Sequence, residues 1–289
     1  MQLTGTGLWS AGLRYGDKAE AAEAAAELED LGYSALWVPD VGGNLFAALE
    51  NLLAATRRTV IATGILNIWM HEPAETAERH RALETAHGAR LLFGLGVSHA
   101  PLIDSTTAET YARPLAKMRQ YLDDLDALPD PLPVGSRVLA ALGPKMRELA
   151  GNRSAGVHPY LGTPALTRIS REELGPGPLV APEQAAVLST DVDHARRVAR
   201  DHLSRYLVLP NYARSIVRVG FDEADLADGG SDRLVDTLVV HGDEAAIAGR
   251  VAEHREAGAD HVCVQVLSDD PVALPREEWR RLAPALVAG

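Results

Sequence analysis

The sequence has one cysteine, no long apolar run and no excess of basic residues, and each of these absences excludes a class of protein. Cys263 alone cannot form an internal disulfide, which favours a reducing compartment. No apolar stretch approaches the ~20 residues that a membrane-spanning helix needs. Residues 1–5 lack the basic and then apolar pattern of a signal peptide. We therefore expect a cytoplasmic protein that does not enter a membrane.

Basic residues are outnumbered by acidic ones. The 289 residues include 28 Lys and Arg against 40 Asp and Glu, for a net charge of −12. Nucleic-acid binding needs a concentrated basic surface, so this composition argues against a nucleic-acid partner. Hydrophobic residues make up 46% of the chain, which is typical of a globular protein with a full core. We expect a small-molecule substrate and leave open whether the protein is a homodimer.

Common catalytic motifs are also missing. Residues 94–99 (GLGVSH) begin like a dinucleotide-binding fingerprint, but His99 stands where the third glycine belongs. The sequence contains neither a His-Glu-x-x-His zinc motif nor a Gly-x-Ser-x-Gly nucleophile elbow. We predict no metal site.

What the sequence does contain is a repeated order of short apolar strands and amphipathic helices. About eight such units predict a (β/α)8 TIM barrel, as a single domain over residues 1–289 with insertion helices at residues 211–239. A doubly wound sheet shows the same alternation and stays the alternative. The predicted strands lie at residues 3–9, 34–38, 59–66, 90–97, 137–142, 156–158, 184–188 and 261–267.

The ends of these strands carry the candidate functional residues, because function in a barrel collects at the carboxyl ends of the strands. The strand at residues 60–66 is the most informative one, since its β-branched run gives way to Asn67 and Trp69. Pro73 then begins a helix. The other candidates are Trp9, Asp40, His71, Ser98, His99, Gly143, Pro144, Lys145, His158 and Tyr160.

Several of these residues also have a purely structural interpretation. Trp9 and Trp69 could fill the core of a barrel, Asp40 could cap a turn, and His71 could lie on the surface. For His99, in a polar loop of small residues, we favour a functional role. The segment 143–145 could be an ordinary loop-to-helix junction, but the free amides of a helix N-terminus beside a lysine also make an anion site.

Five segments together carry a resemblance to a known family: GYSALWVPD at residues 32–40, ATGILNIW at 62–69, LGVSHAP at 95–101, AALGPKM at 140–146 and AGADHVCVQ at 257–265. They resemble the bacterial-luciferase-like flavoprotein superfamily, and within it the oxidoreductases that use the deazaflavin coenzyme F420. The resemblance spans nearly the whole chain.

This resemblance implies a barrel with the flavin-like ring held across the strand ends, and a non-proline cis peptide between Gly64 and Ile65 behind the ring. The phosphate of the cofactor would lie at residues 143–146. The substrate would be contacted by Trp9, Trp69, His71, His158 and Tyr160. The implied cofactor-binding residues are Asp40, Gly64, Ile65, Asn67, Val97, Ser98, Ala100, Gly143, Pro144, Lys145 and Met146.

The chain departs from the family pattern at two positions. Members that oxidise sugar phosphates carry a histidine directly after the strand-two acid, where this chain has Val41, and a glutamate proton donor where it has Pro101. We therefore assign the acid–base role to His99, whose unperturbed pKa of ~6.5 suits proton exchange near neutrality. Asp40 is the second predicted catalytic residue.

The resulting hypothesis is an oxidoreductase that transfers a hydride between reduced F420 and an unidentified organic substrate. An FMN-dependent monooxygenase on the same fold is the first alternative, and a non-catalytic flavin-binding protein is the second.

Overall fold

The protein is built on one parallel β-sheet of ten strands. A computed structural model describes residues 3–107 and 110–287. Within these residues all ten strands pair in parallel, in the order β7-β6-β5-β4-β3-β2-β1-β10-β8-β9. The strands are β1 (Gly5–Trp9), β2 (Ala35–Val38), β3 (Val60–Asn67), β4 (Leu91–Gly96), β5 (Arg137–Leu139), β6 (Gly156–Val157), β7 (Leu179–Val180), β8 (Glu183–Val187), β9 (Val239–His241) and β10 (His261–Val266).

The sheet curls because one stretch of chain, residues 179–187, bonds on both of its sides. Its first part, β7, pairs with β6, and its second part, β8, pairs with β10. Pro182 lies between the two parts, where its missing N–H interrupts the strand. Backbone bonds nevertheless continue, since Glu183 N donates to Pro159 O and Cys263 N donates to Pro182 O. The α/β class is confirmed, with a curled parallel sheet of the TIM-barrel type.

The prediction of eight strands was wrong by two. The two strands it missed are β7 and β9, which contain only two and three residues. Segments of this length are too short to show a periodic pattern in the sequence. They are recognised as strands only by their pairing with β6 and β8.

Helices connect the strands, and proline begins many of them. Six helices have proline in the first turn, where the missing N–H costs no helical bond. Two 3-10 helices lie at Val134–Ser136 and Glu223–Gly229. In the two described ranges the α-helices are α1 (Gly12–Tyr15), α2 (Lys18–Asp30), α3 (Leu45–Ala55), α4 (Pro73–His87), α5 (Ala100–Thr106), α6 (Pro114–Asp126), α7 (Pro144–Arg153), α8 (Pro164–Leu174), α9 (Val192–Leu207), α10 (Pro210–Arg218), α11 (Asp232–Leu238), α12 (Glu244–Glu256) and α13 (Arg276–Leu286).

The predicted insertion between residues 211 and 239 is helical, because it holds most of α10, a 3-10 helix and α11. None of the helices in the described part of the chain combines the length and the apolar character that a membrane crossing requires.

One buried cluster combines aromatic and small side chains from neighbouring strands. Trp37 is fully buried, its ring stacks on His158 with centroids 4.1 Å apart, and its Nε1 donates to His261 Nε2 at 3.1 Å. Glycine makes room for these rings, since a Cβ at Gly7 would lie 2.8 Å from the ring of His261. A core of this kind gives the strand ends a rigid base. The buried members of the cluster are Leu3, Trp9, Ala35, Trp37, Ala62, Leu92, Val138, Ala181 and Cys263.

Candidate active site at the carboxyl ends of the strands

The ends of β2 and β3 bring three of the predicted site residues together. Asp40 follows β2, and its side chain is only 1% exposed. Its Oδ2 accepts a hydrogen bond from His71 Nε2 at 2.9 Å and another from Asn67 N at 3.2 Å. Because β2 and β3 are paired in parallel, their carboxyl ends lie side by side, and residues 27 and 31 positions apart in sequence meet.

This group of residues contains two buried polar atoms without a partner. Asn67 Oδ1 accepts from Trp69 N at 3.2 Å, whereas Asn67 Nδ2 makes no hydrogen bond within the described ranges. The second oxygen of Asp40, Oδ1, is equally unpartnered there. Buried polar atoms are almost always hydrogen-bonded, so an unpaired acceptor and an unpaired donor at adjoining strand ends indicate a ligand with the complementary pair.

The backbone of β3 changes direction at the predicted position. The peptide bond between Gly64 and Ile65 is cis, as predicted, and the register between β3 and β4 shifts between Gly64 and Leu66. Gly96 on β4 gives space to the Ile65 side chain, because a Cβ at position 96 would lie 2.6 Å from Ile65 Cγ1. The Gly64 carbonyl oxygen accepts from Trp9 Nε1 at 2.9 Å, which ties β3 to the end of β1.

Two more predicted residues lie nearby: His158 is close to Gly64, and Tyr160 is close to Trp9. A Cβ on Gly64 would be 2.9 Å from His158 Nε2, and the Trp9 and Tyr160 ring centroids are 5.5 Å apart. His158 Nδ1 bonds to the Ala181 carbonyl at 2.7 Å, so this nitrogen carries the proton and Nε2 is an acceptor. Burial lowers the pKa of His158 to about 4, and the ring is therefore neutral at pH 7.

An aromatic cluster that contacts Tyr160 was not predicted from the sequence. The Tyr160 hydroxyl donates to Gln265 Oε1 at 2.7 Å and accepts from the Tyr206 hydroxyl at 3.3 Å. Tyr212 packs against Tyr206, with ring centroids 5.2 Å apart. Tyr206 and Tyr212 come from helices α9 and α10, far along the chain from the β6 end that they cover. Their helical spacing predicts burial, but not the side of the barrel that they face.

His99, the predicted acid–base residue, lies beside this cluster. Its ring centroid is 5.5 Å from that of Tyr212, and its Nδ1 is buried with no partner among the described residues. Burial lowers the pKa of His99 below its usual value. The loop before it is held in place, because Tyr111 Oη donates to Ser98 O at 3.3 Å and Trp69 Nε1 donates to Val97 O at 2.9 Å.

One boundary in this region differs from the prediction. Ala100 is the first residue of α5 and not part of the loop after β4. The predicted loop therefore ends at His99, which occupies the N-terminal cap position of α5 without a side-chain capping bond.

The predicted anion site is at the first turn of α7. Gly143 is its N-cap without a side-chain capping bond, Pro144 begins the helix, and the Lys145 side chain is exposed. Met146 is half-buried and packs against the core. Arg218 of α10, which the sequence analysis missed, is close to this turn, since a Cβ at Gly143 would lie 3.8 Å from Arg218 Nη1. The positive end of a helix dipole next to two cationic side chains favours an anion.

Glu183, at the start of β8, is a second residue that the sequence analysis missed. Its Oε2 accepts from Leu161 N at 2.9 Å, while its Oε1 has no partner in the described part of the chain. Complete burial raises the pKa of Glu183 to about 8. Glu183 directly precedes the strand that we predicted at residues 184–188, so it was not placed inside the sheet.

Ten of the predicted residues are linked by contacts, in two groups. The first holds Asp40, Asn67, His71, Trp69, Val97 and Ser98, in which Trp69 N donates to Asn67 Oδ1 and Tyr111 contacts both Trp69 and Ser98. The second holds Trp9, Gly64, His158 and Tyr160. Ile65 packs beside Gly96, at the end of β4.

Comparison with known proteins gives the family. Residues 3–261 match the model of the luciferase-like monooxygenase family. An uncharacterized protein of Mycobacterium tuberculosis is 28% identical over 185 residues, which cover 53% of this chain and 54% of that protein. This chain therefore spans about half the length of that mycobacterial relative. The 5,10-methylenetetrahydromethanopterin reductase of Archaeoglobus fulgidus is 23% identical over 300 residues, covering 84% of this chain and 87% of the reductase.

Solved structures agree on the fold. An F420-dependent secondary alcohol dehydrogenase, in complex with an F420–acetone adduct, superposes with a TM-score of 0.76 at 17% identity, covering 98% of this chain and 99% of the other. The FMN-bound oxygenating constituent of 3,6-diketocamphane monooxygenase from Pseudomonas putida gives 0.66 at 14% identity, with 98% of each chain covered. With the family match over most of its length, the chain is an enzyme of the luciferase-like monooxygenase family.

Proposed function

We propose that the protein is an oxidoreductase that uses coenzyme F420 and acts on a small organic molecule. In this proposal the sheet closes into a single-domain (β/α)8 barrel, and the deazaflavin ring lies across the ends of β2, β3 and β4. The F420-dependent secondary alcohol dehydrogenase among the structures with the same fold supports this choice of cofactor.

The observation that carries the proposal is the pair of unpartnered buried atoms, Asp40 Oδ1 and Asn67 Nδ2. The pyrimidinedione part of a deazaflavin presents an imide N–H between two carbonyl oxygens. The imide N–H can donate to Asp40 Oδ1, and a carbonyl oxygen can accept from Asn67 Nδ2. The residues present therefore fit a flavin-type ring.

The first turn of α7 would hold the cofactor phosphate. Pro144 has no N–H and Met146 N donates to Gly143 O at 3.1 Å, so the phosphate would be held mainly by the mobile positive charge of Lys145 and Arg218 and by the helix dipole. In a chain with a net charge of −12, such a cationic position is needed to retain an anionic cofactor.

When bound, the reduced deazaflavin supplies the hydride, and the protein supplies orientation, a dry site and the proton. We assign the proton to His99, whose buried and unpartnered Nδ1 is free to hold it. Trp9, Trp69, His158 and Tyr160 would line the substrate side. Tyr160 and Tyr212 stay protonated, since burial raises the pKa of both hydroxyls. They can orient a substrate oxygen without introducing charge.

An FMN-dependent monooxygenase is the second candidate, because an FMN-bound member of the family has the same fold over 98% of this chain. Its ring carries the same imide edge, so Asp40 and Asn67 do not separate the two cofactors. Oxygen consumption with reduced FMN separates them, since deazaflavins do not form a useful oxygen adduct. Tight cofactor binding without turnover on a broad substrate panel would instead indicate a non-catalytic flavin-binding protein.

Fluorescence titration of the purified protein with F420 and with FMN tests the proposal. We expect F420 to bind more tightly. FMN binding that is tenfold tighter, a difference of ~1.4 kcal/mol, would contradict it.

The variant Asn67→Asp sharpens this test. It keeps the acceptor that Trp69 N uses and removes the unpartnered Nδ2 donor. We expect the affinity for F420 to fall about tenfold or more, because the carbonyl oxygen of the ring loses its donor and gains a nearby carboxylate. An unchanged affinity, with the fold intact by circular dichroism, would remove Asn67 from the cofactor site.

A further inference from the structure

His71 occupies a position that the family pattern does not assign. In the sugar-phosphate-oxidising members a histidine directly follows the strand-two acid, but this chain has Val41 there, and Val41 is 56% exposed. The structure supplies an imidazole to the same acid from another element. His71, beyond the end of β3, donates from Nε2 to Asp40 Oδ2 at 2.9 Å.

The surroundings of His71 show that this contact is enclosed. The His71 side chain is 12% exposed, and its ring packs edge-on against Phe46 of α3, with centroids 5.1 Å apart. On the α4 side, Glu75 Oε2 lies 4.0 Å from His71 Nδ1, and Arg79 is 3.8 Å from the same carboxylate. The charged groups around the ring are therefore Asp40 on one side, and Glu75 with Arg79 on the other.

The two ring nitrogens have different tasks. Nε2 must carry a proton to donate to the carboxylate of Asp40, so in the neutral ring Nδ1 is the acceptor. A second proton, at Nδ1, would leave the Nε2 bond unbroken. His71 can therefore donate to Asp40 in both of its charge states.

We propose that His71 is a positioning residue that keeps Asp40 Oδ2 engaged, so that Oδ1 is presented as an acceptor to the N–H group of a bound ligand. This inference rests on the proposed function, because the ligand it serves is the imide of the deazaflavin. A buried carboxylate is costly unless donors compensate it. Asn67 N and His71 Nε2 are the donors to Asp40 within the described residues.

Two neutral replacements of His71 that differ in reach test this role. The amide nitrogen of His71→Gln can take the place of Nε2, whereas that of His71→Asn is one methylene too short. We expect the affinity for F420, measured by fluorescence at pH 7.5, to stay within a few-fold in His71→Gln. In His71→Asn it should fall roughly tenfold to a hundredfold, the effect of losing one charge-assisted bond.

His87→Gln is the matched control, because His87 is the last residue of α4, the helix that follows His71 in the sequence. It should bind F420 as the wild type does. Equal F420 affinities of His71→Asn and the wild type would overturn the proposal.

A double-mutant cycle with Asp40→Asn tests whether the loss of F420 affinity in His71→Asn depends on Asp40. If His71 acts through Asp40, then His71→Asn should weaken F420 binding no further once Asp40 has been replaced. Additive losses would show that His71 acts independently of Asp40, and the proposal would be wrong.

A ligand-free measurement distinguishes this inference from the proposed function. In the ¹⁵N NMR spectrum of the protein without cofactor, Asp40→Asn should shift the His71 Nε2–H resonance, since its carboxylate acceptor is gone. An unchanged His71 Nε2–H resonance overturns the pairing. A wild-type protein that binds neither F420 nor FMN overturns the proposed function and with it the ligand role of Asp40 Oδ1, while the NMR comparison still decides whether the pair exists.

Discussion

At the scale of single residues, the site is defined by polar atoms that the protein leaves unpaired. Asp40 Oδ1, Asn67 Nδ2, His99 Nδ1 and His158 Nε2 are all buried without a partner among the residues described. Asn67 is the last residue of β3, and the other three residues follow β2, β4 and β6. Buried polar atoms without a partner are expected where a bound ligand forms the missing hydrogen bond. Substitution of these residues therefore tests the site most directly.

His99 provides the first prediction at this scale. A general acid typically contributes 10²–10⁴-fold to turnover, so His99→Ala should lower the rate by about that factor while cofactor affinity changes only a few-fold. His99→Gln keeps a hydrogen-bonding group but cannot exchange a proton, and it should be as slow. The measurement is the reoxidation of reduced F420 with a substrate found in a panel of carbonyl and imine compounds.

The pH dependence of turnover tests the same role of His99. Burial lowers the pKa of His99, so the limb that it contributes to the pH–rate profile lies below ~6.5. This limb should be absent in both variants. If both keep most of their turnover, the proton comes from another group, such as solvent, Asp40 or His158.

At the scale of elements, the N-terminus of α7 is predicted to bind the phosphate. Lys145→Ala should weaken F420 binding by roughly 1.5–3 kcal/mol through the loss of one charge-assisted bond. Lys18→Ala is the matched control, because Lys18 is also an exposed lysine in the first turn of a helix, α2. Calorimetry in low-salt buffer measures both. Equal affinities for the two variants would place the phosphate elsewhere.

The pairing of β3 with β4 depends on glycine, and this leads to a stability prediction. A Cβ at Gly94 would lie 2.2 Å from Thr63 O, a backbone atom that cannot move without disturbing the register of the two strands. Gly94→Ala should therefore lower the free energy of unfolding by about 1–3 kcal/mol or more.

The control is Gly249→Ala in α12, an exposed position with no atom near enough to clash. Alanine there should leave stability unchanged or raise it by about 0.4–1 kcal/mol. Urea unfolding gives both values. If the two variants are equally stable, the close approach of β3 and β4 is not a constraint. The glycines at 94 and 96, which imitate a dinucleotide fingerprint in the sequence, thus serve the packing of strands.

At the scale of the whole molecule, buried neutral histidines predict acid sensitivity. Burial lowers the pKa of His158 and His202 to about 4, and that of His254 and His261 to about 3. The unfolded chain, with histidine pKa values of ~6.5, then binds more protons than the folded one between about pH 4 and 6.5. Stability from these groups is present above ~6.5 and is lost as the pH falls.

The size of this effect is large. Each of the four histidines contributes on the order of 3 kcal/mol across this window, against a total stability of about 5–15 kcal/mol for an ordinary domain. We expect the urea midpoint to drop steeply between pH 6.5 and 4.5, as followed by circular dichroism. His87→Gln should not change the slope. A midpoint that is constant over this range would contradict the burial of neutral histidines.

Glu183 acts in the opposite direction. Its pKa is raised to about 8, so the folded state binds more protons than the unfolded one between about pH 4.5 and 8, and its contribution to stability falls as the pH rises. Comparing Glu183→Gln with the wild type isolates this carboxyl group, because the variant should lose its fall in stability between about pH 4.5 and 8.

The sequence by itself determined the order of the longer strands and helices. The reason is that a buried strand, or one buried face of a helix, leaves a periodic pattern of apolar residues that can be seen in the sequence alone. The positions of Asp40, Asn67, His99 and Lys145 at element ends followed from that order. The cis peptide at Gly64–Ile65 and the family were predicted from short motifs, and the structure and the family match confirmed them.

Only the tertiary structure decided which of these ends meet. The short strands β7 and β9 exist through their pairing alone, and the break at Pro182 lets one stretch of chain pair with both β6 and β10. Tyr206 and Tyr212 reach the site from helices whose periodicity marks a buried face but not the partner of that face. The hydrogen bond between His71 and Asp40 joins residues beyond the ends of two different strands. It forms because parallel strands end at the same edge of the sheet, and no local sequence pattern predicts such a contact.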